Sequence, residues 1–419
     1  MIIGKPKIEE KNGYLELSSQ IKVESDNSLS TTIWYRFPLS QKEFVSDRSD
    51  SFLVGLLLLA MVLEEDITVE GKISPRLAYN LKQVQEYFHT WFPDTLHLIQ
   101  VDYQNLEEDK GEKHDIVSSF SGGIDAFYTL LKHTAEIPDR DRITHALFIG
   151  GFDVPVDDPD IPSVKDHYAN LLKDVKVKLL TADTNLKEYL DPQISQATTF
   201  GAVLSSIFLA LGKNIDRVYL PSAYQYHDML PCPEATAVAD GSNPITDHLF
   251  STETTMIFHY DPAVSRMEKT IFIAKHLLTY DNLRVCWAPV GLKNCCLCSK
   301  CFRTMLELKL CNSLDKYRLS FPRPFTKKIW LAAGKDLGFI REIRNHALAT
   351  GHWLTAFQMQ YIIIKPVVDK YNLLNLWLMP GLYFMSHKLK ARFPLYKSLV
   401  KSIKKTLGMD YQDYPEEKK

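Results

Sequence analysis

Two groups of residues in this chain have types and spacings that could do chemistry. The first is the segment Ser121-Gly-Gly-Ile-Asp125, which follows the apolar run 116–120. Gly122 and Gly123 carry no Cβ and can adopt positive φ, so backbone N–H groups can converge on an anion. A helix that begins directly behind the turn would add positive charge from its N-terminus. The segment is therefore predicted to hold phosphate groups, and a ligand-free turn between strand and helix is the alternative.

The second group consists of cysteines. Six of the seven cysteines lie between Cys286 and Cys311, and four of them have the spacing C-x8-C-x2-C-x2-C. Four thiolates at these separations can close a tetrahedral zinc site with Zn–S distances of about 2.3 Å. Because no coordination position is left for water, the predicted metal is structural, and a set of reduced buried thiols is the alternative. The predicted zinc ligands are Cys286, Cys295, Cys298 and Cys301, with Cys296 and Cys311 as packing residues.

The elements around the glycine segment must position it. From Asp115 onward the sequence alternates between strand and helix patterns, which predicts an α/β fold with a parallel sheet covered by helices. Ligands of such sheets lie at the carboxyl ends of the strands. We therefore expect residues that follow the strands to surround the glycine turn, although each could be an ordinary turn residue. The predicted strands span 116–120, 143–152, 177–181 and 217–221, and the predicted helices span 126–133, 164–175 and 199–211.

The segment Ser121-Gly-Gly-Ile-Asp125 resembles the S-G-G-x-D-S signature of the PP-loop ATP pyrophosphatases, with Ala126 in place of the last serine. It lacks the lysine and the spacing of a Walker loop. Enzymes of that superfamily split ATP between its α and β phosphates and adenylate a carbonyl oxygen. The resemblance implies a Rossmann-like sheet of the HUP type, with ATP and Mg²⁺ as cofactors and the end of the second strand beside adenine and ribose. The predicted ATP-binding residues are Ser119, Ser121, Gly122, Gly123, Ile124, Asp125, Ala126, Gly151, Phe152, Asp153, Thr184, Gly201 and Ser222.

A PP-loop followed far downstream by C-x8-C-x2-C-x2-C is similar to the cyano-deazaguanine synthases (the QueC family), the nitrile-forming enzymes of queuosine biosynthesis. The similarity covers about residues 115 to 310 and implies Zn²⁺ on the four cysteines. It also implies adenylation of a carboxylate or amide, release of pyrophosphate, and transfer to ammonia or another amine. The product would be an amide or a nitrile, and the acceptor a small-molecule or terminal carboxylate. The predicted catalytic residues are Asp125, Arg266, Lys269 and Arg303.

The roles of the cationic candidates are open. Arg266 and Lys269 are three residues apart in a predicted helix and share one face, which could bind pyrophosphate or a substrate carboxylate or could be solvated. Arg303 follows the cysteines, where its guanidinium could bind an anion in bidentate fashion or support the zinc site. The polar loop 241–253 supplies further candidate substrate contacts, namely Asp247, His248, Ser251 and Glu253.

Two other functions are open on the sequence. Sulfur transfer to tRNA is a chemistry of the same superfamily that usually needs a persulfide cysteine outside the zinc set, and only Cys232 is placed for it. A non-catalytic nucleotide-binding scaffold is suggested by Ala126 and by the segment 385–409. That segment has seven Lys or Arg and no acidic residue, so it could bind nucleic acid or a membrane surface, although a solvated helix is the expectation.

Length and composition are those of a globular protein with two or three domains. The clustered cysteines suit metal binding in a reducing cytoplasm better than a secreted disulfide framework. The 419 residues carry a net charge of −2, which gives no global case for binding nucleic acid or membranes. The N-terminus has no signal-peptide pattern, and the apolar run 52–63 is too short to span a bilayer. We expect an N-terminal α+β domain (1–112), in which Ser74-Pro75 starts a helix, a PP-loop domain (113–315) and a helical C-terminal region (316–419). A homodimer is one option for the assembly.

Overall fold

The computed structural model describes residues 1–135, 137–152, 155–226, 240–286, 291–325 and 337–370. The chain forms two compact units. Unit 1 comprises Met1–Cys296 with Cys311–Pro324, and unit 2 comprises Leu297–Leu310 with Phe325–Lys419. The boundaries predicted after residues 112 and 315 both fall inside unit 1. Because compactness does not test whether a segment folds independently, the division into three domains stays a prediction.

Unit 1 is an α/β structure with one large mixed sheet, most of whose strand pairs are parallel, so the predicted class is confirmed. Its strands are β1 (Ile2–Ile3), β2 (Lys7–Lys11), β3 (Tyr14–Lys22), β4 (Thr31–Pro38), β5 (Ile67–Ile73), β6 (Val101–Leu106), β7 (Asp115–Ser119), β8 (His145–Gly150), β9 (Lys178–Thr184), β10 (Ile215–Pro221) and β11 (Met256–Tyr260). Its helices are α1 (Asp50–Leu63), α2 (Pro75–Trp91), α3 (Ile124–Ala135), α4 (Ile161–Leu171), α5 (Leu186–Leu190), α6 (Gln196–Ala210) and α7 (Arg266–Ile273).

The sheet has a switch in strand order beside the glycine segment. Its strands lie in the order β11-β10-β7-β8-β9-β4-β3-β1-β5-β6, with β2 paired to β3. The strands from β11 to β9 are mutually parallel. The chain moves from β7 outward through β8 to β9 and then returns to β10 on the other side of β7. Ligands of open α/β sheets bind at such a switch point, which here lies between β7 and β10.

The N-terminal strands extend this same sheet. Strand β4 runs antiparallel to β9, with Tyr35 opposite Thr184 and Arg36 opposite Asp183. The remaining strands follow β4 as a mixed set, with β3 antiparallel to β4 and β5 parallel to β6. The sheet therefore joins the region before residue 112 to the alternating region after it.

Local signals explain where several helices begin. The Ser74 hydroxyl oxygen accepts a hydrogen bond from the Leu77 N–H, and Pro75 occupies the first turn of α2, which confirms the predicted start. Helix α7 begins with a capping box between Ser265 and Glu268. This cap fixes the helix whose first turn carries Arg266 and Lys269.

The apolar run 52–63 forms the body of α1 and belongs to the core. Helix α1 packs against α2, α6 and β5, and every residue from Phe52 to Met61 is buried. Burial on all sides explains why this helix lacks a polar face. Within the described residues, no helix combines the length and the apolar character that a membrane crossing requires.

The described part of unit 2 is helical. It contains α8 (Ser299–Leu310), α9 (Leu337–Ala349) and α10 (Trp353–Lys370). Helix α9 packs against both α8 and α10. The basic segment 385–409 lies outside the described residues.

Candidate functional site

The glycine turn after β7 is shaped by close packing. Gly122 has φ +77°, and a Cβ added there would lie 1.9 Å from the Tyr168 hydroxyl oxygen, so no larger residue fits without displacement. The Arg284 N–H donates to the Gly122 carbonyl oxygen (2.8 Å). The Gly123 N–H faces the Ser121 hydroxyl oxygen at 3.4 Å. Tyr168 and Arg284 therefore hold the turn on its buried side. Ser121 is exposed to solvent.

Helix α3 begins directly behind this turn at Ile124, as predicted. The side chains of Ile124 and Ala126 are buried, so these residues could contribute to a ligand only through backbone groups. Ser119 ends β7 and is half-buried. The arrangement presents a glycine turn and a helix N-terminus at the carboxyl edge of the sheet, which is the combination that binds anions.

A buried ion cluster adjoins the turn. The Arg266 guanidinium donates to Asp125 Oδ2 (2.6 Å), and Lys269 Nζ lies 3.8 Å from Asp125 Oδ1. Lys269 also donates to the Ser222 carbonyl oxygen (2.5 Å), which follows β10. The Arg266 and Lys269 side chains are only 7% and 1% exposed, so the alternative that they form a solvated face is wrong.

Three elements therefore meet at the switch point. Asp125 comes from α3, the two cations come from α7, and Ser222 immediately follows β10. The N-terminus of α3 and the two cations of α7 place positive charge at this edge, which favours an anionic ligand. The structure thus brings together the predicted residues Asp125, Arg266, Lys269 and Ser222 at one edge of the sheet.

The other predicted nucleotide residues have structural contacts of their own. The Thr184 hydroxyl donates to the Trp34 carbonyl oxygen (2.8 Å) and accepts from the Leu186 N–H (3.1 Å), which ties β9 to β4. Gly151 has φ +78°, and an added Cβ there would lie 2.2 Å from the Thr184 carbonyl oxygen. Phe152 is buried and packs on Phe200, with ring centroids 5.1 Å apart. Their roles in ATP binding stay predictions, and Asp153 lies outside the described residues.

The four predicted zinc ligands come together. The Sγ atoms of Cys286, Cys295, Cys298 and Cys301 all lie within 4.8 Å of one another, and none of these cysteines forms a disulfide. Cys298 Sγ and Cys301 Sγ are 3.4 Å apart, and the Cys301 N–H donates to Cys298 Sγ (3.5 Å). Four soft thiolates at this separation fit a tetrahedral metal such as Zn²⁺. The candidate metal centre is closed, since its donor set leaves no position for a substrate.

Asn294 organises the segment that carries Cys286, and the sequence analysis missed it. Its Oδ1 accepts from the Val285 and Cys286 N–H groups (2.8 and 3.0 Å). Its Nδ2 donates to the carbonyl oxygens of Leu283 (2.9 Å) and Ser320 (3.0 Å). Because asparagine adjacent to a cysteine is common in loops, only the structure distinguishes it as the residue that holds this loop.

Two further predicted residues near the cysteines have defined surroundings. Cys296 is buried, and burial raises the pKa of its thiol, which fits the predicted packing role. Arg303 belongs to unit 2, where its guanidinium stacks 3.8 Å over the Phe339 ring and is buried. A catalytic role for Arg303 stays a prediction.

The loop 241–253 contains a second polar cluster, only part of which was predicted. Asp247 Oδ2 accepts from the Ser242 hydroxyl (2.7 Å) and from His259 Nδ1 (2.8 Å). Asp247 is fully buried. His259 lies in β11, a strand that the sequence analysis did not identify. We call Ser242, Asp247 and His259 the Asp247 cluster.

Two other candidates in this loop, Ser251 and Glu253, have structural contacts to other segments. The Ser251 hydroxyl oxygen accepts from the Ile257 N–H (2.9 Å), and Glu253 Oε1 accepts from the Arg76 N–H (2.8 Å) of α2. His248 is exposed, with Nδ1 3.3 Å from the Pro244 carbonyl oxygen. Gly201 allows the loop to pack closely against α6, because an added Cβ there would lie 2.4 Å from the Gly241 carbonyl oxygen.

Asp240, at the start of this loop, gives a test of the local electrostatics. Burial, with repulsion from the Asp247 carboxylate, raises the pKa of Asp240 to about 7. The folded chain then binds a proton that the unfolded chain has lost, so the free energy of unfolding falls as pH rises from about 4 to about 7.

We therefore expect Asp240→Asn to stabilise the chain at pH 8 by about 1 kcal/mol, since solvent screens a partly exposed carboxyl, and by much less at pH 4.5. Urea unfolding at both pH values measures the difference. An equal gain at pH 4.5 and pH 8 would show that Asp240 is ionised in the folded chain over this range.

Comparisons with family models, with curated proteins and with solved structures gave no match to this chain. The resemblance to the PP-loop superfamily therefore depends on the glycine segment and the cysteine spacing themselves. Cys232, the candidate for sulfur transfer, lies outside the described residues.

Proposed function

We propose that this chain is an ATP-dependent ligase of the PP-loop type that adenylates a carboxylate or amide and passes it to ammonia or another amine. The observation that carries the proposal is the position of the glycine turn at the switch point, beside half-buried Asp125 and the buried cations Arg266 and Lys269. The strand order of β11 to β9 supports a Rossmann-like sheet of the HUP type.

The phosphates of ATP would lie over the turn. Backbone N–H groups at Gly122 and Gly123 and the N-terminus of α3 would bind the phosphate oxygens. Arg266 and Lys269 add positive charge on the side of β10. Asp125 Oδ1 has no hydrogen-bond partner among the described residues, so it is a carboxylate oxygen that could anchor Mg²⁺·pyrophosphate.

The reaction requires that ATP and the acceptor be correctly positioned and that the charge developing on the phosphates be stabilised. It requires no side-chain nucleophile. A carboxylate oxygen of the acceptor attacks the α-phosphorus of ATP, and pyrophosphate leaves with the electron pair of the broken P–O bond. The amine then forms a C–N bond to the acyl carbon, and AMP leaves. Preorganised cations and backbone dipoles stabilise the charge that develops on the phosphates. The four cysteines would hold Zn²⁺ as a structural metal and so fix the loop that carries Cys286. Arg284, two residues before Cys286, contacts the glycine turn, because its N–H donates to the Gly122 carbonyl oxygen.

The proposal predicts the effect of Asp125→Asn. The neutral amide would no longer fix Arg266 and Lys269, and pyrophosphate release should fall by about 100-fold or more. The assay incubates the full chain with Mg·ATP and fractionated cell metabolites that contain carboxylates, and it measures pyrophosphate and AMP together.

Asp183→Asn is the matched control. Asp183 pairs with Lys165 (3.0 Å) at the end of β9, a similar ion pair away from the turn, and its loss should leave turnover within a few-fold of the wild type. Pyrophosphate release that survives Asp125→Asn would contradict the proposal, as would ADP and phosphate as products. Loss of turnover in Cys232→Ala would favour sulfur transfer instead.

A further inference from the structure

Arg284 is a buried cation beside the glycine turn, and neither the sequence motif nor the ion cluster includes its side chain. Its backbone N–H donates to the Gly122 carbonyl oxygen (2.8 Å), and the residue is only 6% exposed. Its Nε donates to the Gly291 carbonyl oxygen (3.1 Å). In the part of the chain that the structure describes, no carboxylate forms an ion pair with this guanidinium.

A buried arginine without a counter-ion is unusual. Charged side chains are seldom buried unless they are paired, because burial removes their hydration. Arg266, the buried arginine of α7, follows this rule through its ion pair with Asp125. Neither Nη atom of Arg284 is sealed from solvent, so a dissolved anion can reach them. The Arg284 guanidinium therefore has the properties of an anion-binding group whose partner is a ligand.

The contact with Gly291 places this guanidinium at the carboxyl edge of the sheet. Helix α4 follows β8 and begins at this edge, where a Cβ added to Gly150 would lie 3.5 Å from Ile161 Cδ1. Gly291 packs against the residue before α4, since its own added Cβ would lie 3.2 Å from Asp160 Oδ2. Because Arg284 Nε is bonded to Gly291, the guanidinium lies on the β8 side of the turn.

Tyr168 of α4 connects the guanidinium to the turn. Its hydroxyl packs against Gly122. Burial raises the pKa of the Tyr168 hydroxyl, and the positive charge of Arg284 opposes that rise, so the two side chains lie within electrostatic range. The cations of α7 lie on the other side of the turn, where Lys269 donates to the Ser222 carbonyl oxygen after β10. Positive side chains therefore flank the glycine turn on both sides.

We propose that Arg284 binds a phosphate group of the nucleotide over the glycine turn, from the β8 side of that turn. This inference rests on the proposed function and adds a binding residue to it. A planar guanidinium can donate two parallel N–H bonds to phosphate oxygens. The phosphate would supply the missing counter-ion. The hydrogen bond from the Arg284 backbone to Gly122 holds this side chain and the turn in a fixed relation, as preorganised binding requires.

The zinc thiolates are the competing partner for this charge, because Cys286 is two residues from Arg284. Among the described residues, no cysteine sulfur accepts a hydrogen bond from the guanidinium. Zinc content therefore distinguishes the two roles. A phosphate-binding arginine can be replaced without loss of the metal, whereas an arginine that balances the thiolate charge cannot.

The test measures affinity and stability of the full chain with Arg284→Met. Methionine keeps an unbranched apolar stem and removes the charge, and the backbone N–H that bonds Gly122 is unchanged. Calorimetric titration with Mg·ATP should show a loss of affinity of at least about tenfold. The melting temperature of the ligand-free chain should stay level or rise, since an unpaired buried charge has been removed. Zinc should remain at about one per chain.

Two further variants complete the experiment. Arg217→Met is the matched control, because Arg217 of β10 pairs with Asp141 (2.8 Å) and Asp216 (2.9 Å). It should keep its affinity for Mg·ATP, and its melting temperature should not rise. Arg284→Lys keeps the charge without the planar fork, so its affinity for Mg·ATP should lie between those of Arg284→Met and the wild type.

The outcomes separate this inference from the proposed function. Equal Mg·ATP affinity in Arg284→Met and the wild type would overturn the inference and leave the proposed function standing. A lower melting temperature of ligand-free Arg284→Met would also overturn it, since Arg284 would then support the fold, and so would the loss of zinc. Absence of Mg·ATP binding by the wild type would overturn the proposed function and this inference with it.

Discussion

Serine in place of Cys298 is expected to abolish metal binding and to lower the melting temperature by about 10 °C or more. A serine hydroxyl is a poor replacement for a thiolate, and the folding free energy that a structural zinc supplies reaches about 10–16 kcal/mol in small domains. Losing several kcal/mol of this folding free energy would lower the melting temperature of a chain of this size by about 10 °C. Cys298 is one of four sulfurs within 4.8 Å of one another.

Cys296→Ser is the matched control for this experiment. Cys296 stands next to Cys295 but is not among the four converging sulfurs, and its Sγ faces the Asn294 carbonyl oxygen at 3.4 Å. Elemental analysis should find about one zinc per chain in the wild type and in Cys296→Ser, and none in Cys298→Ser. Equal zinc in both variants, or none in the wild type, would remove the metal centre from the account.

Alanine in place of Gly122 is expected to have the second-largest effect. The residue would need a positive φ, and its Cβ would have to displace the Tyr168 hydroxyl from 1.9 Å. Strain of the backbone and overpacking together should reduce the free energy of unfolding by about 3 kcal/mol. Because the displaced turn would no longer present its N–H groups to a phosphate, Mg·ATP affinity should fall by at least about tenfold.

Gly13→Ala separates the two causes. Gly13 has φ +80°, close to that of Gly122, but an added Cβ there would meet no atom within 4 Å. This variant should lose only about 1 kcal/mol and keep its affinity for Mg·ATP. Urea unfolding and calorimetric titration measure both quantities, and similar losses in the two glycine variants would show that the Tyr168 contact is unimportant.

Much of the local structure was predictable because its signals are local. The start of α2 depends on Ser74 and Pro75, which act within one turn. The glycine turn between β7 and α3 follows from Gly122, whose conformation no other residue adopts as easily. The cysteine spacing predicted which four sulfurs converge, because each pair in the C-x2-C-x2-C run is separated by one short turn.

The features that were missed depend on contacts between distant segments. The pairing of Tyr35 with Thr184 joins β4 to β9, and no periodicity in either strand specifies its partner. The short strand β11 carries an exposed Phe258 beside a buried Ile257, a pattern too brief to stand out. The hydrogen bond between His259 and Asp247 likewise depends on the fold, because it joins strand β11 to a loop residue twelve positions earlier in the chain.

The central claim is that the glycine turn holds a nucleotide triphosphate beside Asp125. Isothermal titration calorimetry of the full chain with Mg·ATP tests it most directly, with Asp125→Ala as the second sample. The account predicts saturable binding at about one site per chain in the wild type and a loss of at least about tenfold in affinity for the variant. Absence of binding in the wild type, or equal binding by a folded Asp125→Ala, would contradict it.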